Sequence, residues 1–291
     1  MNLIKYSNNI EGLSNDKQIE EIYLYIKNNF LSKGEIVELG TFLGKVTKTI
    51  LDAVPENFYG KIYTYDNFVW NFNHNRKFPH LGITKNQNFL DYVKNNINSE
   101  KIIFKKQLIE DLKWEEKKIE LLILDSPKNF DEINDVFFKL SPFFIENVTK
   151  IIFLDFSISI KYDTQIFLDK IADYFSIKIS TNGIAYCEYK KKLSLNKFDK
   201  FKIVKKMKKE DIILFWNNFF KKIDYYQQKR LSLLPALHLY ENKNYIKAFQ
   251  HILFKDVYVQ KKYIMISYMV KRYPLMIPLL IFQFFRGKYF I

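Results

Sequence analysis

Residues 36–45 read Ile36-Val37-Glu38-Leu39-Gly40-Thr41-Phe42-Leu43-Gly44-Lys45, and this stretch decides the fold. Ile36 to Leu39 has the apolar character of a short buried strand. Gly40 and Gly44 then permit a tight turn in which the backbone can come close to a ligand. Val46, Ile50, Ala53 and Val54 follow near helical spacing, which predicts a helix over 46–54. Strand, glycine turn and helix form the opening unit of a nucleotide-binding α/β sheet, in which the ligand sits beyond the carboxyl end of the strand. The bland alternative is a strand-to-helix turn whose glycines serve geometry alone.

Working outward, Lys61 to Tyr65 reads as a second strand, and Asp66 follows directly, 26 residues beyond Gly40. A carboxylate at the end of a second strand can accept both hydroxyls of a ribose. An aspartate after a strand is also a common turn former or helix cap. The pairing of the glycine turn with Asp66 favours the ribose role.

A dinucleotide fingerprint needs Gly-x-Gly-x-x-Gly, and Phe42 occupies its middle position, where the pyrophosphate would need a close backbone approach. The run instead resembles the first motif of the class I S-adenosylmethionine-dependent methyltransferases: an acidic residue, one apolar residue, then Gly-x-x-x-Gly. The resemblance implies that Glu38 lies near the methionine ammonium. It implies that the backbone of Gly40, Thr41, Phe42 and Gly44 passes beside the cofactor, and that Asp66, followed by Asn67, holds the ribose. Gln107 to Asp111, after the third strand, would line the adenine pocket.

Further elements complete the pattern. A helix is predicted over 16–30, capped by Asn15 or Asp16. A long polar-aromatic loop over 67–82 holds Trp70, His74, Arg76 and His80, and loops of that length commonly carry function. Then come a helix over 86–96, strands over 101–106 and 119–124, and a helix over 131–144. A strand over 150–154, a helix over 162–175 and strands over 176–180 and 184–189 follow. The last two flank Asn182-Gly183, a type I′ hairpin signal. Seven strands with alternating helices resemble the full methyltransferase domain over residues 15–192, whose last strand inserts antiparallel. The predicted fold class is α/β, a doubly wound, mostly parallel seven-stranded sheet over 1–192, followed by a small all-helical domain over 193–291.

Methyl transfer aligns an acceptor with a sulfonium methyl and, for a hydroxyl acceptor, removes a proton. Asp125 and Asp155 end neighbouring strands, so either is a candidate general base. Some relatives bind a divalent cation with carboxylates at these places. Phe156 stands where they commonly carry a further Asp or Asn, which counts against a full metal site; an ion there would be magnesium or calcium. Lys128 is a candidate for an anionic acceptor, or simply a solvated lysine at a helix start. His80, like His74, is either an active-site residue of the long loop or a polar surface residue.

The chain has 291 residues, 48% of them hydrophobic, with 28 Phe and 20 Tyr, which suits one large domain and a smaller one. The lone cysteine, Cys187, excludes an intramolecular disulfide and any cysteine cluster. The first residues hold no apolar core of signal-peptide length, so a cytoplasmic location is expected. Charge is asymmetric. Residues 1–189 carry 23 Lys and Arg against 26 Asp and Glu, whereas residues 190–291 carry 23 against 6. Such a basic second half points to an anionic partner.

That half reads as helical, with segments over 212–223, 231–240, 245–254 and 256–273. Residues 236–248 resemble one tetratricopeptide-type hairpin, and a single unit makes no solenoid. The apolar run from Tyr273 to Phe285 is 13 residues long and holds two prolines, too short for the roughly 20 residues of a bilayer span. It reads as a core helix or dimer contact, or as an anchor on the inner face of an anionic membrane. Nucleic acid is not expected, because no recognised binding module is present. The expected partner is a small-molecule or carbohydrate acceptor in a glycan pathway. The rival reading is a poorly catalytic cofactor-binding domain that carries a basic helical module to a membrane or a partner protein.

Overall fold

The computed structural model describes residues 10–115, 117–127, 129–154, 156, 162–193, 208–223, 225, 228, 231–245, 247, 248 and 251. The chain divides into two compact units, one formed by 1–156 with 166–202 and the other by 157–165 with 203–291.

The first unit is built on a seven-stranded sheet. Its strands are β1 (Glu35–Leu39), β2 (Ile62–Asp66), β3 (Ile102–Lys106), β4 (Ile119–Leu124), β5 (Lys150–Phe153), β6 (Phe175–Ile179) and β7 (Ala185–Tyr189). Their order is β3-β2-β1-β4-β5-β7-β6, parallel except for β7, which runs antiparallel to both β5 and β6. This is the predicted doubly wound arrangement. Its order reverses between β1 and β4, and a ligand crevice opens at such a switch point.

Helices cover both faces, which explains the near-continuous apolar strands. On one face α1 (Asp16–Asn29) and α2 (Lys45–Ala53) pack together through Ile19, Ile22, Ile26, Val46 and Ile50. Asn15 caps α1 through a capping box with Gln18. On the other face α5 (Phe130–Leu140) and α6 (Asp163–Ile171) bring Phe130, Phe137 and Phe167 into an aromatic cluster with Phe153.

Several boundaries differ from the sequence reading. The long loop after β2 contains a short helix, α3 (Phe72–Lys77), capped by Asn71, and a 3₁₀ turn at Pro79–Leu81. The predicted helix over 86–96 begins only at α4 (Leu90–Asn96), because Asn86 takes a positive φ and Asn88 bridges back to Val69. The helix over 131–144 stops at Leu140, where Pro142 lacks the N–H needed to continue it. The hairpin between β6 and β7 is not type I′. Only Gly183 is left-handed there, Gly183 N donates to Ser180 O, and Ser180 N donates to Ile184 O. A type I turn with a following left-handed glycine makes this longer connection.

In the second unit, the described elements are the helices Lys209–Lys221 and Leu234–Glu241. Pro235 fits the first turn of the latter. Its end is a Schellman motif: Lys243 is left-handed, Lys243 N donates to Tyr240 O, and Asn244 N donates to Leu239 O. Trp216 Nε1 donates to Nδ1 of buried His238, against which Tyr162 stacks at 4.3 Å. The predicted helix over 256–273 and the apolar run after it lie outside the described residues, as does most of 245–254. No helix among the described residues is long and apolar enough to cross a membrane.

Candidate functional site

The glycine turn is held from three sides. Gly40 N donates to Tyr65 O, tying the turn to β2, and Leu39 O accepts from Asp125 N and Ser126 N, tying β1 to the tip of β4. Gly40 has φ +104°, and a Cβ on it would meet Ser126 N at 2.9 Å. Gly44 precedes α2 with φ +88°, and a Cβ there would overlap Ile97 Cδ1 at the end of α4. Both glycines are therefore required by conformation and by close packing.

Asp66 faces this turn. One carboxylate oxygen accepts the Phe42 N–H at 2.9 Å, and the other accepts the Phe68 N–H at 2.8 Å. Burial raises its pKa, while these two amides lower it. Each oxygen keeps a further lone pair for a ligand hydroxyl. The Phe42 amide that would face a pyrophosphate in a dinucleotide site is thus already engaged.

A cleft of about 190 Å³ opens between the strand tips. Gly40 and Ser126 form one wall, Asp66, Asn67 and Tyr65 another, and Gln107, Leu108, Ile109 and Glu110 a third, with Glu132 of α5 beside them. Gln107 N donates to Asp66 O, which fixes the third wall to the second. The Gln107 Nε2 amide is buried and has no partner. An unpaired buried donor is costly, on the order of 1–3 kcal/mol, unless a ligand acceptor meets it. The described walls carry three carboxylates and no lysine, arginine or histidine. The described carboxylates suit a cationic or neutral ligand.

Of the predicted cofactor residues, Gly40, Asp66, Asn67 and Gln107 meet at this cleft. Thr41 and Phe42 belong to the turn but point elsewhere. Thr41 is buried and pairs with Thr64, and the Phe42 ring lies among Trp70, His74, Phe78 and Phe89. Glu38 is fully buried and bonded to Thr47 and Thr64, so it forms no part of the cleft wall. Asp125 sits at the β4 tip beside Gly40. Lys128 and Asp155 lie outside the described residues.

His80 is not brought to the cleft. It is exposed on the 3₁₀ turn, with Nε2 2.5 Å from Glu11 Oε1, a surface pair of the kind that contributes little. His74 is part of the aromatic cluster, and burial lowers its pKa. Leu108, Ile109 and Glu110 fall within the expected 107–111 stretch. Sequence reasoning missed Tyr65, Ser126 and Glu132; Ser126 stands next to the expected Asp125, whereas Glu132 reaches the cleft only through the placement of α5. Among the described residues no group of three or more His, Cys, Asp or Glu side chains could hold a metal ion.

No family model matches the sequence, and no curated protein does. Among solved structures the chain is similar to the O-methyltransferase NovP, at 16% identity and a TM-score of 0.45, over 60% of this chain and 81% of that one. It is similar to the SAH-bound Podospora anserina methyltransferase PaMTH1, at 12% identity and a TM-score of 0.38, over 62% and 80% of the two chains. A methyltransferase from Geobacter sulfurreducens is 13% identical, with a TM-score of 0.37, over 63% and 83%. At these identities and TM-scores the likeness carries no function over to the chain.

Proposed function

We propose that this chain is an S-adenosylmethionine-dependent methyltransferase acting on a hydroxyl of a small or carbohydrate acceptor. The observation that carries the reading is the cleft beside Gly40, walled by carboxylates and by an unpaired Gln107 amide. S-adenosylmethionine is a cationic nucleoside without phosphate, and the residues present fit it. Asp66 would take the ribose hydroxyls through its remaining lone pairs. Gln107 Nε2 would donate to a ring nitrogen of the adenine. Gly40 leaves space that any side chain would fill, and the acidic walls favour the positive charge. When bound, the cofactor supplies a methyl group activated by its sulfonium.

The chain's own residues must then position the acceptor and take its proton. Asp125, at the β4 tip next to Gly40, is the proposed base, and Asp155, outside the described residues and two positions after β5 in the sequence, is the other candidate. The segment that leaves the cleft at Asn67 is rich in groups that bind sugars. It presents Phe72, 67% exposed, with Arg76 one helical turn further on, and residues 67–90 contain no Asp or Glu. This favours an acceptor with hydroxyls and negative charge.

Isothermal titration with S-adenosylhomocysteine tests the proposal. The wild type binds, and Asp66→Ala weakens binding by about a hundredfold, the loss of two charge-assisted hydrogen bonds. NAD gives no heat. Binding of NAD, or equal S-adenosylhomocysteine affinity in the variant, would overturn the reading.

A second reading has its own observation, the 23 basic against 6 acidic residues beyond 189. Here the basic region docks the protein on an anionic membrane surface, and the cleft serves only to bind. The full chain would then sediment with phosphatidylserine vesicles at low salt and be released at high salt. Absence of sedimentation at low salt removes this reading.

A further inference from the structure

Glu38 lies one residue before the end of β1 at 0% exposure, behind the turn rather than in the cleft wall. Its Oε2 accepts the hydroxyls of Thr47 and Thr64, both at 2.6 Å. Thr64 Oγ1 also pairs with Thr41 Oγ1. A hydroxyl has one proton to give, and Thr64 spends its own on Glu38. Thr41 therefore donates to Thr64, and the direction of the chain is set. It runs from the glycine turn, across β2, to Glu38 on β1, where Thr47 in the first turn of α2 donates to the same oxygen.

The other oxygen, Oε1, is buried without a partner. The charged groups that act on Glu38 are Asp125 at the tip of β4 and Asp66 at the tip of β2, both anionic; α2 and β2 face it with the threonine hydroxyls. An ionised carboxylate here would leave one buried charged oxygen with no protein donor among the described residues, with Asp125 and Asp66 opposing its ionisation. Burial accordingly pushes its pKa up to about 8. Since Oε2 already takes both hydroxyl donors, the proton belongs on Oε1. The family resemblance led to a different expectation, a Glu38 near the methionine ammonium.

We infer that Glu38 is a neutral positioning residue, which holds the glycine turn in its ligand-ready shape through the Thr64–Thr41 hydroxyl chain and through Thr47 rather than by touching the ligand. The inference rests on reading the cleft as an S-adenosyl site. Its consequence is that ligand affinity depends on the shape of the Glu38 side chain and not on its charge.

The test is calorimetric titration of the full chain with S-adenosylhomocysteine at about pH 7, in two buffers of different ionisation enthalpy, which reads affinity and proton release together. Glu38→Ala and Thr64→Val each weaken binding by about tenfold or more, and Glu38→Gln restores it to within about threefold of wild type. The wild type releases no more protons on binding than Glu38→Gln does. Two results would overturn the inference: a Glu38→Gln variant as weak as Glu38→Ala, or about one proton released by the wild type and not by Glu38→Gln. Either would mean an ionised carboxylate at the ammonium.

If the wild type does not bind the probe, the S-adenosyl reading falls, and thermal unfolding decides the state of Glu38. The folded group holds its proton from its ordinary 4.5 up to about 8, so the stability it contributes is present below the first value and lost as pH rises through the second. Glu38→Gln cannot ionise. Its Tm should match that of the wild type at about pH 4 and exceed it at about pH 9. A decline in Glu38→Gln as steep as in the wild type would sink the neutral Glu38.

Discussion

A methyl group added at Gly40 would meet the Ser126 amide nitrogen at 2.9 Å, on a residue whose φ is +104°. Backbone at β4 cannot step aside, because Ser126 N is bonded to Leu39 O. Gly40→Ala should therefore cost about 2–3 kcal/mol from strain and displacement together, and it should close the cleft to ligand. Chemical denaturation and S-adenosylhomocysteine titration check the two effects separately. The role of Gly40 could be read from the sequence, since a glycine directly after a strand and before a helix has few other uses. The role of Glu38 could not. A carboxylate looks the same on paper whether it faces a ligand or two threonines. The available signal was Thr64, a polar residue between Tyr63 and Tyr65 in an otherwise apolar strand, which marks a buried partner.

Element β4 shows the same lesson on a larger scale. All six of its residues are buried, and its run Ile-Glu-Leu-Leu-Ile-Leu was expected to be a strand covered on both faces. The apolar pattern located the strand but gave no task to Glu120. In the fold its carboxylate gathers the N–H groups of Leu31, Lys33 and Gly34, and so closes the connection from α1 to β1. Glu120→Ala would remove the acceptor of three part-buried amide donors, two of them on exposed residues that water can reach, and should destabilise the domain by about 1–3 kcal/mol, seen as a lower denaturation midpoint with the m-value unchanged. Helix Leu234–Glu241 offers a pH test. Burial pushes the pKa of His238 down to about 4 from the ordinary 6.5. A group held neutral in this way contributes stability that is present above the unfolded value and lost as pH falls through the folded one. Unfolding of the second unit should become easier between about pH 6.5 and 4, and His238→Phe should flatten that slope. The short helix α3 was invisible for a different reason. Asn71-Phe72-Asn73-His74-Asn75 has poor helix propensity, and its ring contacts with Phe42 and Phe89 hold it.

For the whole molecule, the doubly wound, mostly parallel sheet and the position of the crevice followed from one glycine turn and the alternation of strands and helices, while the antiparallel last strand came from the family resemblance. Long apolar runs with a fixed switch point leave little topological choice. The cleft's acidic walls did not follow, because Glu110 and Glu132 come from segments far apart in the chain and only the sheet order makes them neighbours. Cys187 on β7 is fully enclosed, and burial raises its pKa above that of an ordinary thiol. The chain contains no other sulfhydryl. Native protein should accordingly ignore a thiol dye at mild alkalinity, and every labelled molecule will be one whose sheet has come apart. A single natural atom thus serves as a clock for opening of the sheet, timing each substitution above without any added probe.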